Sequence, residues 1–193
     1  PGQQVRQLEF LVGAVSLIVG GSDGSLAQWF LVRDEHNNFH LKHIRDFDKH
    51  PAAITQIEPE YSRKGFMAID ETGHVGIHYG TSARTLMLEP MPGDIKPARI
   101  AISPINTSLL AFTADGQVHR YALENAHPDV SWKAMWNEVW YEGREHPDYI
   151  WQASSGSDEF EAKMSLVPLA LGTLKAAVFA MIFATPLAVM SAL

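Results

Sequence analysis

Histidine and cysteine determine which metal chemistry the chain could support, and the sequence contains nine histidines but no cysteine. The lack of cysteine excludes disulfides, thiolate zinc sites and cysteine nucleophiles. His74 and His78 lie four positions apart on a predicted β-strand, which would place them on one face but roughly 13 Å apart. That separation is too large for one metal ion, so this pair does not predict a metal site.

A second histidine group flanks the Asn37-Asn38 pair, which predicts a hairpin turn that could bring the side chains together. Its members are His36, His40 and His43. Because no carboxylate pattern accompanies these histidines, we predict no metal site and no cofactor for the chain.

Glycine-rich and acidic segments are the other patterns that could carry chemistry. Residues 20–24, Gly-Gly-Ser-Asp-Gly, resemble a phosphate loop superficially, but such a loop needs Lys and Ser or Thr after its last glycine and a helix behind it. An alternating strand follows instead, so a turn is predicted. The acidic pairs Asp70-Glu71 and Asp46/Asp48 could act as general acids and bases, but they lie at predicted strand ends, where solvated carboxylates are usual. We predict no catalytic residue and no enzyme activity.

The composition narrows the class of protein further. The 193 residues suffice for one medium domain plus an appendage. A formal net charge of −7, from 22 acidic and 15 basic residues, argues against a nucleic-acid partner, which requires a basic face. The first residue, Pro1, belongs to no signal peptide, and we expect the chain to be a fragment of a longer protein.

Three similar windows, residues 16–30, 65–79 and 108–121, determine the predicted architecture. Each has an apolar strand, a polar turn with glycine, and an alternating strand that ends in an aromatic residue. The turn glycines are Gly24, Gly73 and Gly116, which lie 49 and 43 residues apart. Repeats of about 40–50 residues are typical of β-propeller blades.

The segments before the second and third windows have the strand order of WD repeats. Each contains an apolar strand, with Ile54 and Ile57 or Ile100 and Ile102, followed by a proline turn. The WD-repeat family often has residues like His50, Pro104 and the Asp115-Gly116 pair at these places. The usual Trp-Asp ending is replaced by Trp29-Phe30, His78-Tyr79 and Arg120-Tyr121.

This resemblance implies a mainly β fold with partial β-propeller-like blades, about three of them, over residues 1–125. A closed propeller usually needs at least about four blades. Either further blades precede Pro1, which we favour, or the sheets form an open sandwich.

Residues 126–163 are predicted to form a connector with an amphipathic helix. Its apolar residues recur at helical spacing and so share one face: they are Trp132, Met135, Trp136, Val139 and Trp140. Gly143 is the expected C-cap. The interfacial helix residues Trp132, Trp136 and Trp140 could lie at a membrane surface, or alternatively pack against the β-domain. Residues 153–161, small and acidic, predict a loop.

Residues 164–193 are predicted to span a membrane. From Leu166 to Leu193 there are 28 residues with a single charge, Lys175. As a helix this run would be roughly 42 Å long, more than the bilayer core of about 30 Å. Lys175 is close enough to the outer end to reach the interface, and Pro186 should kink the span or mark its inner third. The alternative is a buried helix of a soluble domain.

Residues 130–193 resemble phosphate ABC-transporter permeases. The matching elements, in order and spacing, are Trp151-Gln152, residues 160–169 with Val-Pro-Leu, residues 172–175 with Gly-Thr-Leu, and residues 184–188 with Pro-Leu-Ala. Residues 136–142 also resemble the stretch before the membrane core in long members of this family. Such members insert a large β-domain between their first two membrane helices.

This resemblance implies that residues 164–193 are the first helix of the permease core, with span residues Leu166, Pro168, Gly172, Lys175 and Pro186. It implies an extracytoplasmic (periplasmic) β-domain on the bacterial inner membrane, in contact with lipid. The implied partners are a second permease subunit, a separate ATPase subunit and an extracytoplasmic phosphate-binding protein.

Two rival functions remain from the sequence. One is a soluble WD-repeat-like interaction scaffold with a buried C-terminal helix. The other is a β-propeller enzyme with acidic residues around its central channel.

Overall fold

The computed structural model describes residues 4–154, 156 and 161–192, and most of its strands belong to three antiparallel sheets. The first sheet contains β1 (Val5–Phe10), β2 (Ser16–Gly21), β3 (Leu26–Arg33) and β4 (Phe39–Asp46). The second contains β5 (Ile54–Pro59), β6 (Gly65–Asp70), β7 (His74–Tyr79) and β8 (Arg84–Pro90). The third contains β9 (Pro97–Ile102), β10 (Ser108–Thr113) and β11 (Val118–Ala122). In each sheet, sequence neighbours pair directly.

The three predicted glycine turns are confirmed. Gly24, Gly73 and Gly116 adopt φ of +84°, +91° and +84°, a region that glycine enters without steric cost, and each joins the two strands of its window. At Gly24 the need is also spatial, because a Cβ there would lie 2.2 Å from the carbonyl oxygen of His50. The phosphate-loop alternative for residues 20–24 is thereby replaced by a hairpin turn.

Two apolar cores hold the three sheets together, and β6 contributes to both because all six of its residues are buried. Phe66 and Ala68 pack with Ile18 in the core between the first and second sheets. The alternate residues Met67 and Ile69 belong to the core that includes the third sheet. A strand covered on both faces thus lies in the middle of the sheet stack.

The order of the sheets follows the order of the chain. Strand β5, the first of its sheet, lies beside both β1 and β9, the first strands of the other two sheets. The far face of the first sheet is open to solvent and carries Leu8, Phe10, Leu31 and Leu41. The fold is therefore mainly β, with several meander sheets and a C-terminal apolar helix.

The connector does not form the predicted long helix. Helix α1 contains only Trp132–Trp136, and Asn137 leaves it in an extended conformation (φ −106°, ψ 162°). Val139 then forms an antiparallel bridge with Asp148, which buries Val139 beside Tyr141. The helical spacing of the aromatic residues is thus overridden by this bridge. Gly143 adopts φ +73° beyond the helix and is not its C-cap.

A small hairpin and one long helix complete the chain. The hairpin pairs β12 (Trp151–Gln152) with β13 (Lys163–Met164). Helix α2 (Val167–Ala192) follows and continues past Pro186. The predicted loop at 153–161 lies largely outside the described residues, which in this segment are 153, 154, 156 and 161.

Candidate functional site

The connector is fixed to the β-sheets by a buried ion pair. Lys64, directly before β6 of the second sheet, donates a hydrogen bond from Nζ to Glu142 Oε2 at 2.6 Å, and the two side chains are 2% and 12% exposed. Ser16 Oγ donates to the other oxygen of Glu142 at 2.6 Å, and Gln28 Nε2 donates to Ser16 Oγ at 2.7 Å. Both sheets therefore bind the same carboxylate of the connector.

A second buried carboxylate, Glu161, completes this network. It accepts hydrogen bonds from Thr81 Oγ1 at 2.7 Å and from the Glu142 amide at 3.0 Å. Burial raises the pKa of Glu161, repulsion from Glu142 raises it further, and the two hydrogen bonds and Arg45 oppose this. Arg45 donates to the carbonyl oxygens of Gly80, Thr81 and Trp140.

This network could not be found in the sequence because its members are far apart along the chain. Lys64 and Glu142 are separated by 78 positions, and Thr81 and Glu161 by 80. No local pattern distinguishes Lys64 or Glu161 from a solvated charge. The network has the character of a structural joint, since each carboxylate is hydrogen-bonded and directed into the protein.

The three predicted interfacial tryptophans do not share one face. Trp132 and Trp136, on α1, are 78% and 46% exposed. Ser131 begins this helix, and its Oγ accepts a hydrogen bond from the Ala134 amide. Trp140 belongs instead to the β-domain: its ring lies 6.5 Å edge-on from Phe30, and Lys42 Nζ lies 4.5 Å from its centre. Packing against the β-domain is thus the correct description for Trp140.

The beginning of α2 is bonded to both segments of the connector. The Leu166 amide donates to Met135 O of α1 at 2.9 Å, and the Ser165 amide donates to Ile150 O at 3.0 Å. In the hairpin, Trp151 pairs with Met164. The residues directly before the helix are thus held by hydrogen bonds from two directions.

Helix α2 itself has no buried residue, and its 26 residues are long and apolar enough to cross a membrane. Of the predicted span residues, Leu166 precedes the helix, while Pro168, Gly172, Lys175 and Pro186 lie along it. Large apolar side chains are exposed on every side of it, such as Leu171, Val178, Phe179 and Ile182. The described part of this chain therefore does not itself cover the helix, as the alternative of a buried C-terminal helix would require.

Two histidines form a buried cluster at the second sheet: His50, which precedes β5, and His78 on β7. His50 Nε2 lies 3.5 Å from His78 Nε2, and His50 Nδ1 lies 3.5 Å from Asp70 Oδ2. Burial lowers the pKa of His78 to about 3, helped by His50, and burial also lowers the pKa of His50 against the attraction of Asp70. Both rings are therefore neutral at pH 7.

The same cluster contains Asp70, the first residue of the acidic pair Asp70-Glu71. Asp70 Oδ1 accepts hydrogen bonds from the Thr72 amide and hydroxyl and from the His74 amide. Burial alone would raise the pKa of Asp70, but these hydrogen bonds lower it below its ordinary value. Asp70 therefore stabilises the turn at Gly73.

Two of the other histidines make surface pairs. His40 contacts Asp34 and His43 contacts Asp46, each at 2.8 Å, beside the confirmed turn at Asn37. Within residues 4–154, 156 and 161–192, no group of three or more His, Asp or Glu side chains is arranged to hold a metal ion.

Comparison with known proteins informs only the fold. No protein-family model matches the chain, and no match was found among curated proteins. Among solved structures that match, the crystal structure of Sqt1 from Chaetomium thermophilum has a TM-score of 0.51 at 16% sequence identity. The match covers 61% of this chain and 30% of Sqt1. The chain thus spans under a third of that protein, and the likeness concerns the β-fold alone. The phosphate-permease resemblance gains no support from these comparisons and stays a prediction.

Proposed function

We propose that this chain is a WD-repeat-like protein-binding scaffold held at a membrane by α2. The observation that carries the proposal is the combination of a 26-residue apolar helix without a buried residue and a β-domain to which its start is tied. In water such a helix would expose apolar surface on all sides, whereas a bilayer would cover it.

The scaffold part of the proposal rests on the fold. The crystal structure of Sqt1 has a similar fold over 61% of this chain, and residues 16–121 have the strand and turn order of WD repeats. Propeller-like domains usually bind other proteins through loops and open faces. The buried charged groups described above bond to each other and to the backbone, which suits a positioning role better than catalysis.

The proposal includes an orientation of the chain relative to the membrane. The β-domain lies outside the bacterial inner membrane, and α2 runs inward from Leu166. Lys175 is eight residues beyond Val167, about 12 Å along the helix at 1.5 Å per residue. Its long side chain can extend from this depth back towards the outer interface.

Membrane partition tests this proposal. The chain, targeted for export in a bacterium, should stay in the membrane after a carbonate wash, and removal of residues 164–193 should release it. The double variant Phe179→Asp/Ile182→Asp should also be released, because a carboxylate at the bilayer centre costs about 2.5–3.5 kcal/mol. Phe179→Leu/Ile182→Leu is the matched control and should remain bound. A full chain that is soluble without detergent would contradict the proposal.

A second candidate function is a permease component of a phosphate importer. It is favoured by the Val-Pro-Leu, Gly-Thr-Leu and Pro-Leu-Ala elements, which all lie within one exposed helix. At Gly172 nothing lies within 4 Å of the position of an added Cβ, so a neighbouring helix could approach closely there. In this role α2 would pack with further helices, and ATP hydrolysis would occur on a separate subunit.

Partner binding separates the two candidates. A permease component should co-purify with a second permease subunit, the ATPase subunit and the extracytoplasmic phosphate-binding protein, and Gly172→Leu should weaken the helix contacts. Ala184→Leu, on the same exposed helix, is the matched control. The absence of binding to the phosphate-binding protein at high micromolar concentration would contradict the permease role and leave the scaffold role standing.

A further inference from the structure

Three exposed tryptophans lie on the two segments that hold the start of α2. Trp132 and Trp136 on α1 are 78% and 46% exposed, and Trp151 on β12 is 42% exposed. The α1 segment is joined to Leu166 through Met135 O, at 2.9 Å. The β12 segment is joined to Met164 by strand pairing and to Ser165 through Ile150 O, at 3.0 Å.

These contacts place the backbone segments that carry all three tryptophans beside the helix start. Each belongs to a segment bonded to residues 164–166, and α2 begins at Val167. The α1 and β12 segments approach those residues through separate hydrogen bonds. The exposed tryptophans are therefore carried by two segments that meet at the point where the chain would enter a bilayer.

Indole has the chemistry that membrane interfaces favour. Its ring is apolar and its N–H group is a hydrogen-bond donor, so tryptophan is enriched at the headgroup level of membranes. Trp140 differs, because its N–H donates to Arg144 O at 2.9 Å and its ring packs near Phe30. The exposed tryptophans beside the start of α2 are therefore Trp132, Trp136 and Trp151. The spacing of tryptophans in the sequence does not identify this group.

We propose that Trp132, Trp136 and Trp151 form an aromatic collar that binds the headgroup region of the outer leaflet and sets the height of the β-domain above it. This inference rests on the proposed membrane attachment through α2. Lys133 is the only basic residue of α1. The β12–β13 hairpin adds Lys163. Because indole binding to the headgroup region does not require lipid charge, the collar should bind electrically neutral lipid, with little dependence on salt.

Tryptophan fluorescence in lipid tests the collar. The full chain has five tryptophans, so single-tryptophan variants are made by changing the other four to Phe and are reconstituted in phosphatidylcholine vesicles. Variants retaining Trp132, Trp136 or Trp151 should be quenched more by a headgroup-level quencher than by one deep in the acyl chains. In lipid, their quenching by aqueous acrylamide should fall at least about twofold.

Two controls make the result decisive. A variant retaining only Trp140 should show no quenching by either lipid quencher. Phe179→Trp, in a background without other tryptophans, reports on α2 and should be quenched by the deep quencher. Deep quenching of that probe with unquenched collar tryptophans would overturn the collar but keep the membrane attachment. If neither the collar tryptophans nor the Phe179→Trp probe is quenched from the lipid, the collar and the membrane attachment are both overturned. Strong salt dependence of the collar quenching would contradict neutral-lipid binding. Circular dichroism establishes that each variant is folded.

Discussion

The β-sheets and α2 use the same apolar residue types in opposite ways. In the sheets, apolar side chains point into the cores, and Ile18, Phe66 and Ile69 are fully buried between sheets. In α2, apolar side chains cover the whole circumference and none is buried. The β-sheets thus bury their own apolar side chains, whereas no part of the chain that the structure describes covers those of α2.

The connector between these regions is stabilised by charge rather than by apolar area. Its apolar cluster is small, with Ala134, Val139 and Tyr141 buried beside Ile150. Glu142 binds Ser16 of the first sheet and Lys64 of the second. Glu161 binds Thr81 beside the second sheet. A joint of this kind can hold the helix in one position relative to the sheets, because its hydrogen-bond geometry is directional.

The largest expected effect comes from breaking this joint. Glu142→Leu leaves Lys64 buried without its counter-charge, which should reduce the free energy of unfolding by about 3–5 kcal/mol. Urea unfolding in detergent, followed by the circular dichroism of the strands, measures the change.

The surface pair Arg33–Glu145 provides the matched control, since its side chains are 51% and 54% exposed. Glu145→Gln should cost at most about 1 kcal/mol. The double variant Lys64→Met/Glu142→Leu should recover much of the loss, because no buried charge remains unpaired. Equal losses for the single and double variants would show that the pair does not act as a joint.

A second experiment compares the two uses of apolar residues directly. Ile18→Ala should reduce the free energy of unfolding by about 2–5 kcal/mol, because it leaves a cavity between the first two sheets. Leu174→Ala, in α2, should leave the unfolding of the sheets unchanged and weaken membrane partition instead. Urea unfolding and the carbonate wash measure the two quantities on the same variants.

Leu31→Ala, on the open face of the first sheet, is the control and should cost about 0.5 kcal/mol or less. A large loss of sheet stability from Leu174→Ala would mean that α2 packs on the β-domain. The difference between the two regions would then disappear.

The buried histidines make the sheets sensitive to acid, whereas α2 contains no histidine. The pKa of His78 is about 3 in the folded protein, and its ordinary value is 6.5. The unfolded chain therefore binds more protons as the pH falls below 6.5, and stability falls with it. Between pH 6.5 and pH 5 the loss should be about 2 kcal/mol for this residue, and His50 adds to it in the same direction.

Comparison of variants isolates this pH dependence from the carboxylates. His78→Phe keeps an aromatic ring beside Phe66, with which His78 is stacked at 5.0 Å. Its stability should fall less steeply between pH 6.5 and pH 5 than that of the original chain in urea unfolding. His36→Gln, at an exposed turn, should preserve the original slope. Identical slopes for all three proteins would contradict a buried neutral His78.

The sequence predicted those features that depend on neighbouring residues. Gly24, Gly73 and Gly116 mark their turns because the backbone conformation there requires glycine. The run after Leu166 is apolar along its whole length, so its helix and its exposure could be anticipated. The prediction of one helix from Trp132 to Trp140 was wrong because the spacing of the apolar residues contains no information about the bridge from Val139 to Asp148.

The candidate site was less predictable than the fold. The sequence identified Trp132 and Trp136 as interfacial residues. It did not identify Trp151, which joins them in place of Trp140, because its position depends on strand pairing with Met164 that only the folded chain reveals. The joint between Lys64 and Glu142 likewise depends on contacts between distant segments.

The smallest expected effect concerns the cap of α1, which positions two of the collar tryptophans. Ser131→Ala removes the acceptor for the Ala134 amide and should cost about 1 kcal/mol. Because the cap acts on α1, the change should loosen Trp132 and Trp136 but leave Trp151 in place. In single-tryptophan variants, the first two should lose part of their headgroup-level quenching while Trp151 keeps it. Ser131→Asp, which retains a capping oxygen, should restore the original values. Equal losses at all three positions would show that the collar moves as one unit with the start of α2.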